Sequence, residues 1–123
     1  MIASGYQQYK NQSVSTMTQG EMLLLLFDEL VKRITRAELA LKAQEIDVFD
    51  QSIDRATEII KYLKQTLNRE YAISVQLRAL YDFFIYELSR VKASRRQAIL
   101  DEVKPLIEEL RDAFRQAEKK SGR

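Results

Sequence analysis

The chain has 123 residues, enough for one domain that buries roughly two thirds of its unfolded surface without a disulfide or metal staple. It has no cysteine and no histidine, which excludes a thiolate zinc site and a cysteine nucleophile and removes the commonest general base and transition-metal ligand. The net charge of +2, divided as −2 over residues 1–61 and +4 over residues 62–123, lacks the one-signed density of a dedicated nucleic-acid binder.

Residues 1–17 are polar, rich in Ser, Gln and Thr, and carry no sustained period. They read as a mobile N-terminal arm with Tyr6, Tyr9 and Val14 as its apolar handles. No basic stretch precedes an apolar core there, so no secretory signal is expected. The longest unbroken apolar run, Met22 to Phe27, falls far short of the roughly 20 residues a membrane span requires. A cytoplasmic protein without membrane insertion is the expectation.

Thr18-Gln19-Gly20-Glu21 matches a capping box, so a helix should start there. Its stripe, Leu23, Leu26, Phe27, Leu30, Ile34, Ala37 and Leu41, repeats at helical spacing to about residue 43. Asp47 is placed to cap a second helix running to about residue 68, with Phe49, Ile53, Ala56, Ile60, Leu63 and Leu67 on one face. A third, over about 72–92, shows Ile73, Leu77, Leu80, Phe84, Leu88 and Val91. Ser94 begins a fourth, striped by Leu100, Val103, Ile107, Leu110, Phe114 and Ala117 and widened by Ile99, Leu106 and Ala113. Residues 118–123 should fray. Pro105 falls inside the fourth pattern and predicts either a kink or a helix that starts near Asp101.

Three glycines and one proline are too few for the turns of a sheet protein. Connections of three to six residues make neighbouring helices antiparallel. The prediction is all-α: an up-down-up-down four-helix bundle over residues 18–117, with the arm at 1–17 and a tail at 118–123.

Bundles often house di-metal sites, but those need Glu-x-x-His pairs, and this chain has no histidine. Asp28, Glu38, Asp54, Glu58, Glu87 and Glu108 fall between the apolar positions, as solvated faces do. The glycines are isolated, so no phosphate cradle is present, and no serine lies in a nucleophile motif. No metal, no cofactor and no enzymatic activity are expected. Arg90, Lys92, Arg95 and Arg96 form the densest basic cluster. It lies at a helix C-terminus, where cations favour the macrodipole and solvate a turn, although it would also suit phosphates.

The sharper signal is apolar surplus. On the third helix Phe83 and Ile85 flank the stripe while Val75 and Tyr86 lie on its far side. On the first, Leu25 and Leu39 also lie opposite the stripe, and Leu24 and Val31 widen it. One buried stripe per helix suffices for a lone bundle. Ordinary scatter is one explanation. A folded-back arm that lays Tyr6, Tyr9 and Val14 on the surplus is another, and a partner segment in a groove is the third.

The order of motifs resembles a known family. Tyr6-Gln7-Gln8-Tyr9 precedes Thr-Gln-Gly-Glu-Met-Leu-Leu-Leu-Leu-Phe-Asp at Thr18 to Asp28. Ile59-Ile60-x-x-Leu63, Leu80-Tyr81-Asp82 with two following aromatics, and Leu110-Arg111-Asp112-Ala113-Phe114 come after it. Over residues 6–117 this resembles the flagellin-specific export chaperones of bacteria, with Phe114 where Trp is more usual and Pro105 as a second departure. The resemblance implies a four-helix chaperone whose partners are the disordered C-terminal segment of flagellin, wrapped around the bundle, and components of the flagellar export gate. It also implies an arm able to cover the empty cargo site. Tyr6 and Tyr9 are then the movable cap, and Leu25, Val75, Phe83, Ile85 and Tyr86 the cargo-facing positions. A self-associating or regulatory bundle is the alternative, which leaves room for a weak homodimer, and a nucleic-acid adaptor is the third reading.

Overall fold

The computed structural model describes residues 17–121. Four helices occupy nearly all of them: α1 Gln19–Lys42, α2 Ile46–Gln65, α3 Ile73–Ser94 and α4 Gln97–Ser121. α1 packs against α2 and α4, and α3 packs against the same two, so α1 and α3 stand across a diagonal. This is the expected antiparallel four-helix bundle.

The start of α1 is set by chemistry at Thr18. Its hydroxyl accepts from the Glu21 N–H at 3.1 Å, and its own N–H donates to Glu21 Oε1 at 3.1 Å. The bond from the Thr18 N–H, helped by the Thr18 hydroxyl, holds the Glu21 carboxyl below its ordinary value. The Thr18 hydroxyl also donates to Glu118 at 3.5 Å, and the Glu118 carboxylate lies over Gly20, where any β-carbon would overlap it. The first turn of α1 and the last turns of α4 therefore meet. Residues 118–121, expected to fray, are helical.

Two other boundaries differ from expectation. α2 starts at Ile46 with no side-chain cap, and Asp47 sits inside the first turn, where its charge still suits the helix dipole. Ser94 ends α3 instead of opening α4; its hydroxyl donates to the Arg90 carbonyl at 2.7 Å and accepts from the Arg96 N–H. Arg95 takes a left-handed φ of 57° and reverses the chain within two residues. α4 then runs through Pro105 without restarting at Asp101. Pro105 and Asp101 are both exposed, so water can serve the carbonyl that proline leaves without a donor.

Phe27, Leu30, Ile34, Phe49, Ile53, Ile60, Phe84, Leu88, Leu100 and Ile107 are buried almost completely, as their stripes predict. α3 carries the one shifted register. Ile73 was expected inside but is exposed, and Tyr81 is buried in the core. The helix begins at Ile73 on the outer lip of an open end, while the next residue, Ser74, is buried. Ion pairs stitch α2 to α3 through Lys64–Asp82, Lys92–Asp54 and Arg95–Asp50, and α1 to α4 through Lys104–Glu38 and Arg115–Asp28. Most of these are exposed, which limits each to roughly 1 kcal/mol or less. Apolar burial supplies the stability.

Candidate interaction surface

The stripes outrun the closed core at one end. There the start of α1, the end of α2, the start of α3 and the end of α4 surround an apolar cavity of about 470 Å³. Leu23, Leu63, Leu67, Leu77, Leu110 and Phe114 give it an aliphatic and aromatic lining, with Ala113 and Ala117 as small residues along the α4 wall. Phe114 packs on Phe27 with ring centroids 4.9 Å apart, which fixes the boundary between cavity and core. Tyr81 reaches the cavity from the core side, and burial pushes its phenol up to about 12. Exposed Tyr71 and Ile73 form the outer lip.

A second apolar strip runs along α3. Val75 is 73% exposed and Tyr86 62% exposed, and both point away from the core. They are eleven residues apart, three full turns, so they share a line on the helix, about 16 Å end to end. Phe83 lies on the flank of the same strip and is also exposed. Ile85 is different: it is partly buried and packs against the core from the other flank. Leu25 is exposed on α1, across the diagonal, so it does not join the α3 residues in one patch. Tyr6, Tyr9 and Val14 lie outside the described residues. Sequence periodicity missed the cavity, because a stripe reports a helix face and not where four faces diverge at an end.

The basic cluster at the α3–α4 turn is largely engaged. Arg90 pairs with Glu87 at 2.8 Å, Lys92 with Asp54 at 2.7 Å, and Arg95 with Asp50 at 3.8 Å. The hydrogen bond to Asp54 raises the Lys92 ammonium above its ordinary value. Three of the four cations are thus held by carboxylates, which disfavours a phosphate-tracking surface. Among the described residues no group of acidic side chains converges as a metal site, and no helix is long and apolar enough to cross a membrane.

The described residues thus leave apolar surface uncovered at an open end and along one helix face. Comparison with known proteins gives the family. The family model described as flagellar protein FliS matches residues 2–121. The flagellar secretion chaperone FliS of Bacillus subtilis is 31% identical over 116 residues, covering 94% of this chain and 87% of that protein. Its Salmonella typhimurium counterpart is 26% identical over 127 residues, covering 98% and 94%. A crystal structure titled as a flagellar chaperone from bacteria shares the fold, with a TM-score of 0.78 at 18% identity over 98% of this chain and 99% of that one. A family match over almost the whole chain and a relative above 30% identity lead to one conclusion: the protein belongs to the FliS family of flagellar secretion chaperones.

Proposed function

We propose that the protein is a cytoplasmic chaperone for flagellin. It binds the disordered C-terminal segment of the subunit, prevents premature filament polymerisation and keeps the cargo acceptable to the flagellar export gate. The observation that carries this reading is the open apolar end. Four stripes continue past the closed core into a cavity that no part of residues 17–121 fills.

Magnitudes favour a long segment over a compact ligand. Folding a disordered chain onto a surface costs roughly 2–5 kcal/mol in ordering. Each Leu or Phe it buries returns roughly 1.5–3 kcal/mol. Two or three anchors return about 3–9 kcal/mol, which ordering and the roughly 4–15 kcal/mol lost in translational and rotational freedom consume, so useful affinity needs further sites. The α3 strip of Val75, Phe83 and Tyr86 supplies them, Ile85 presenting only its uncovered edge, and a segment that wraps the bundle would also reach Leu25.

The arm is read as the movable cap. Residues 1–16 join the described chain at Met17, two residues before Gln19 on the cavity rim. At no more than about 3.6 Å per residue, a span of ten residues reaches about 36 Å, so Tyr9 and Tyr6 are both long enough in tether to occupy the cavity. A phenol ring suits a site that alternates between wet and dry.

Calorimetric titration with a synthetic C-terminal segment of the host's flagellin tests the proposal. One-to-one binding with a large negative heat-capacity change is expected, weakened at least tenfold by Leu110→Asp combined with Phe83→Asp. Binding indifferent to that pair would keep the function and discard the surface. No binding, together with a concentration-dependent dimer in sedimentation, would replace the chaperone reading with the self-associating bundle.

A further inference from the structure

A different seam of the bundle carries an unassigned polar pocket. Between α1 and α2, Arg33 and Arg36 from one helix and Arg55 from the other surround a recess of about 90 Å³, with Val48, Gln51 and Ser52 completing its wall. Cationic side chains that share a recess repel one another unless carboxylates offset them. Nearby acids do so only in part. Glu29 takes Arg33 at 2.8 Å and lies 4.0 Å from Lys32, and Glu58 lies 3.8 Å from Arg55. Among the described residues Arg36 has no ion-pair or hydrogen-bond partner.

Ser52 gives an independent sign. It is only 3% exposed, yet its hydroxyl makes no hydrogen bond within the described chain. Ser89 and Ser94 donate back to a carbonyl one turn earlier, whereas Ser52, like buried Ser74, does not. Ser52 instead lines the recess with its donor unused, beside the Gln51 side chain.

The geometry points to a binding site for a single carboxylate presented by a protein partner. Arg33, Arg36, Arg55 and the neighbouring Lys32 outnumber Glu29 and Glu58, so the recess is net positive, and a carboxylate can meet a guanidinium fork through two parallel hydrogen bonds. The volume admits a few atoms, about three times the share of one water in the liquid, and excludes a nucleotide.

The same face supplies an apolar anchor. Leu25 precedes Arg36 by eleven residues and Tyr62 follows Arg55 by seven, so each lies on its arginine's line of the helix surface. α1 and α2 are antiparallel, which places Leu25 and Tyr62 toward the same end, and both are exposed. They stand about 10–16 Å from the recess along the helix axes. An extended segment spans that distance in about three to five residues. The predicted occupant therefore carries an apolar side chain and an acidic one at that spacing. Leu25, stranded from the α3 strip, belongs to this face.

Arginine Nε–Hε resonances in the full-length protein give the test, at fixed ionic strength held with chloride. The probes are acetate, inorganic phosphate, and a capped pentapeptide with leucine first and glutamate last. Acetate should shift Arg33, Arg36 and Arg55 saturably and leave Arg69 and Arg78 unmoved, and Arg36→Gln should abolish the effect. The pentapeptide should bind at least about fivefold tighter than acetate, and Leu25→Ser should remove that advantage while leaving acetate binding intact. Equal response of all arginines would overturn the site. Tighter binding of phosphate would overturn the carboxylate assignment, and a pentapeptide no better than acetate would overturn the docking face.

Discussion

The two ends of the bundle are built from the same kind of stripe and finish differently. At the end holding the α1–α2 and α3–α4 turns, Ala40, Phe49, Val91, Ile99 and Leu100 are all buried. The α3–α4 connection there is two residues long, and Arg95 and Lys92 tie it to Asp50 and Asp54 on α2. At the other end Leu23, Leu67, Leu110 and Phe114 are only partly covered, and the α2–α3 connection spans residues 66–72. One end of the core is complete within the chain. The other is complete only when something else occupies it, and that difference separates the residues that hold the fold from those that bind.

Truncation of one side chain at each end gives the largest expected difference. Phe49→Ala at the closed end is expected to cost roughly 3–5 kcal/mol in urea unfolding, because the buried ring leaves a cavity. Leu110→Ala at the open end should cost roughly 1 kcal/mol, since its side chain already borders empty space. Equal losses would mean that the open end is packed in solution as tightly as the closed one.

Alkaline titration sharpens the same boundary at Tyr81. Its phenol is pushed up to about 12 by burial, while an unfolded tyrosine ionises near 10. Between those values the unfolded chain releases a proton that the folded chain keeps, so stability falls as pH rises. The contribution, up to roughly 2–3 kcal/mol, is fully present below pH 10 and lost by about pH 12. Ultraviolet absorbance should show one phenol ionising after the others. If cargo covers the open end, its binding should delay Tyr81 further.

The smallest effect is expected at the rim. Thr18→Ala removes the hydroxyl that accepts from Glu21 and costs about 1 kcal/mol. The loss should appear as faster hydrogen exchange in the first turn of α1, with the closed end unaffected. A change that spread to the α3–α4 turn would show that the two ends are coupled.

Much of this architecture is legible in the residues. The Thr18–Glu21 box marks the start of α1, and the stripes of α1, α2 and α4 identify nearly every core position. Legibility fails where small or polar residues pack or where an end has no cover. Ala40 and Ser52 give no hydrophobic signal, yet both are buried. Glu87 is buried because Arg90 pairs with it, a partnership that periodicity does not register. Ile73 fits its stripe but lies on the open lip of the cavity, where its side chain stays exposed. The candidate surface is only half visible for the same reason. Val75, Phe83 and Tyr86 stand out as misplaced apolar residues, whereas the cavity consists of correctly placed ones that nothing covers.

The contact between Thr18 and Glu118 also has a consequence for engineering. It places the first and last described turns side by side at the mouth of the cavity. A cargo segment fused through a short flexible linker to the C-terminal end would start next to its own site. Capture would then be intramolecular, at an effective concentration of about millimolar, and even a weakly held segment would remain bound.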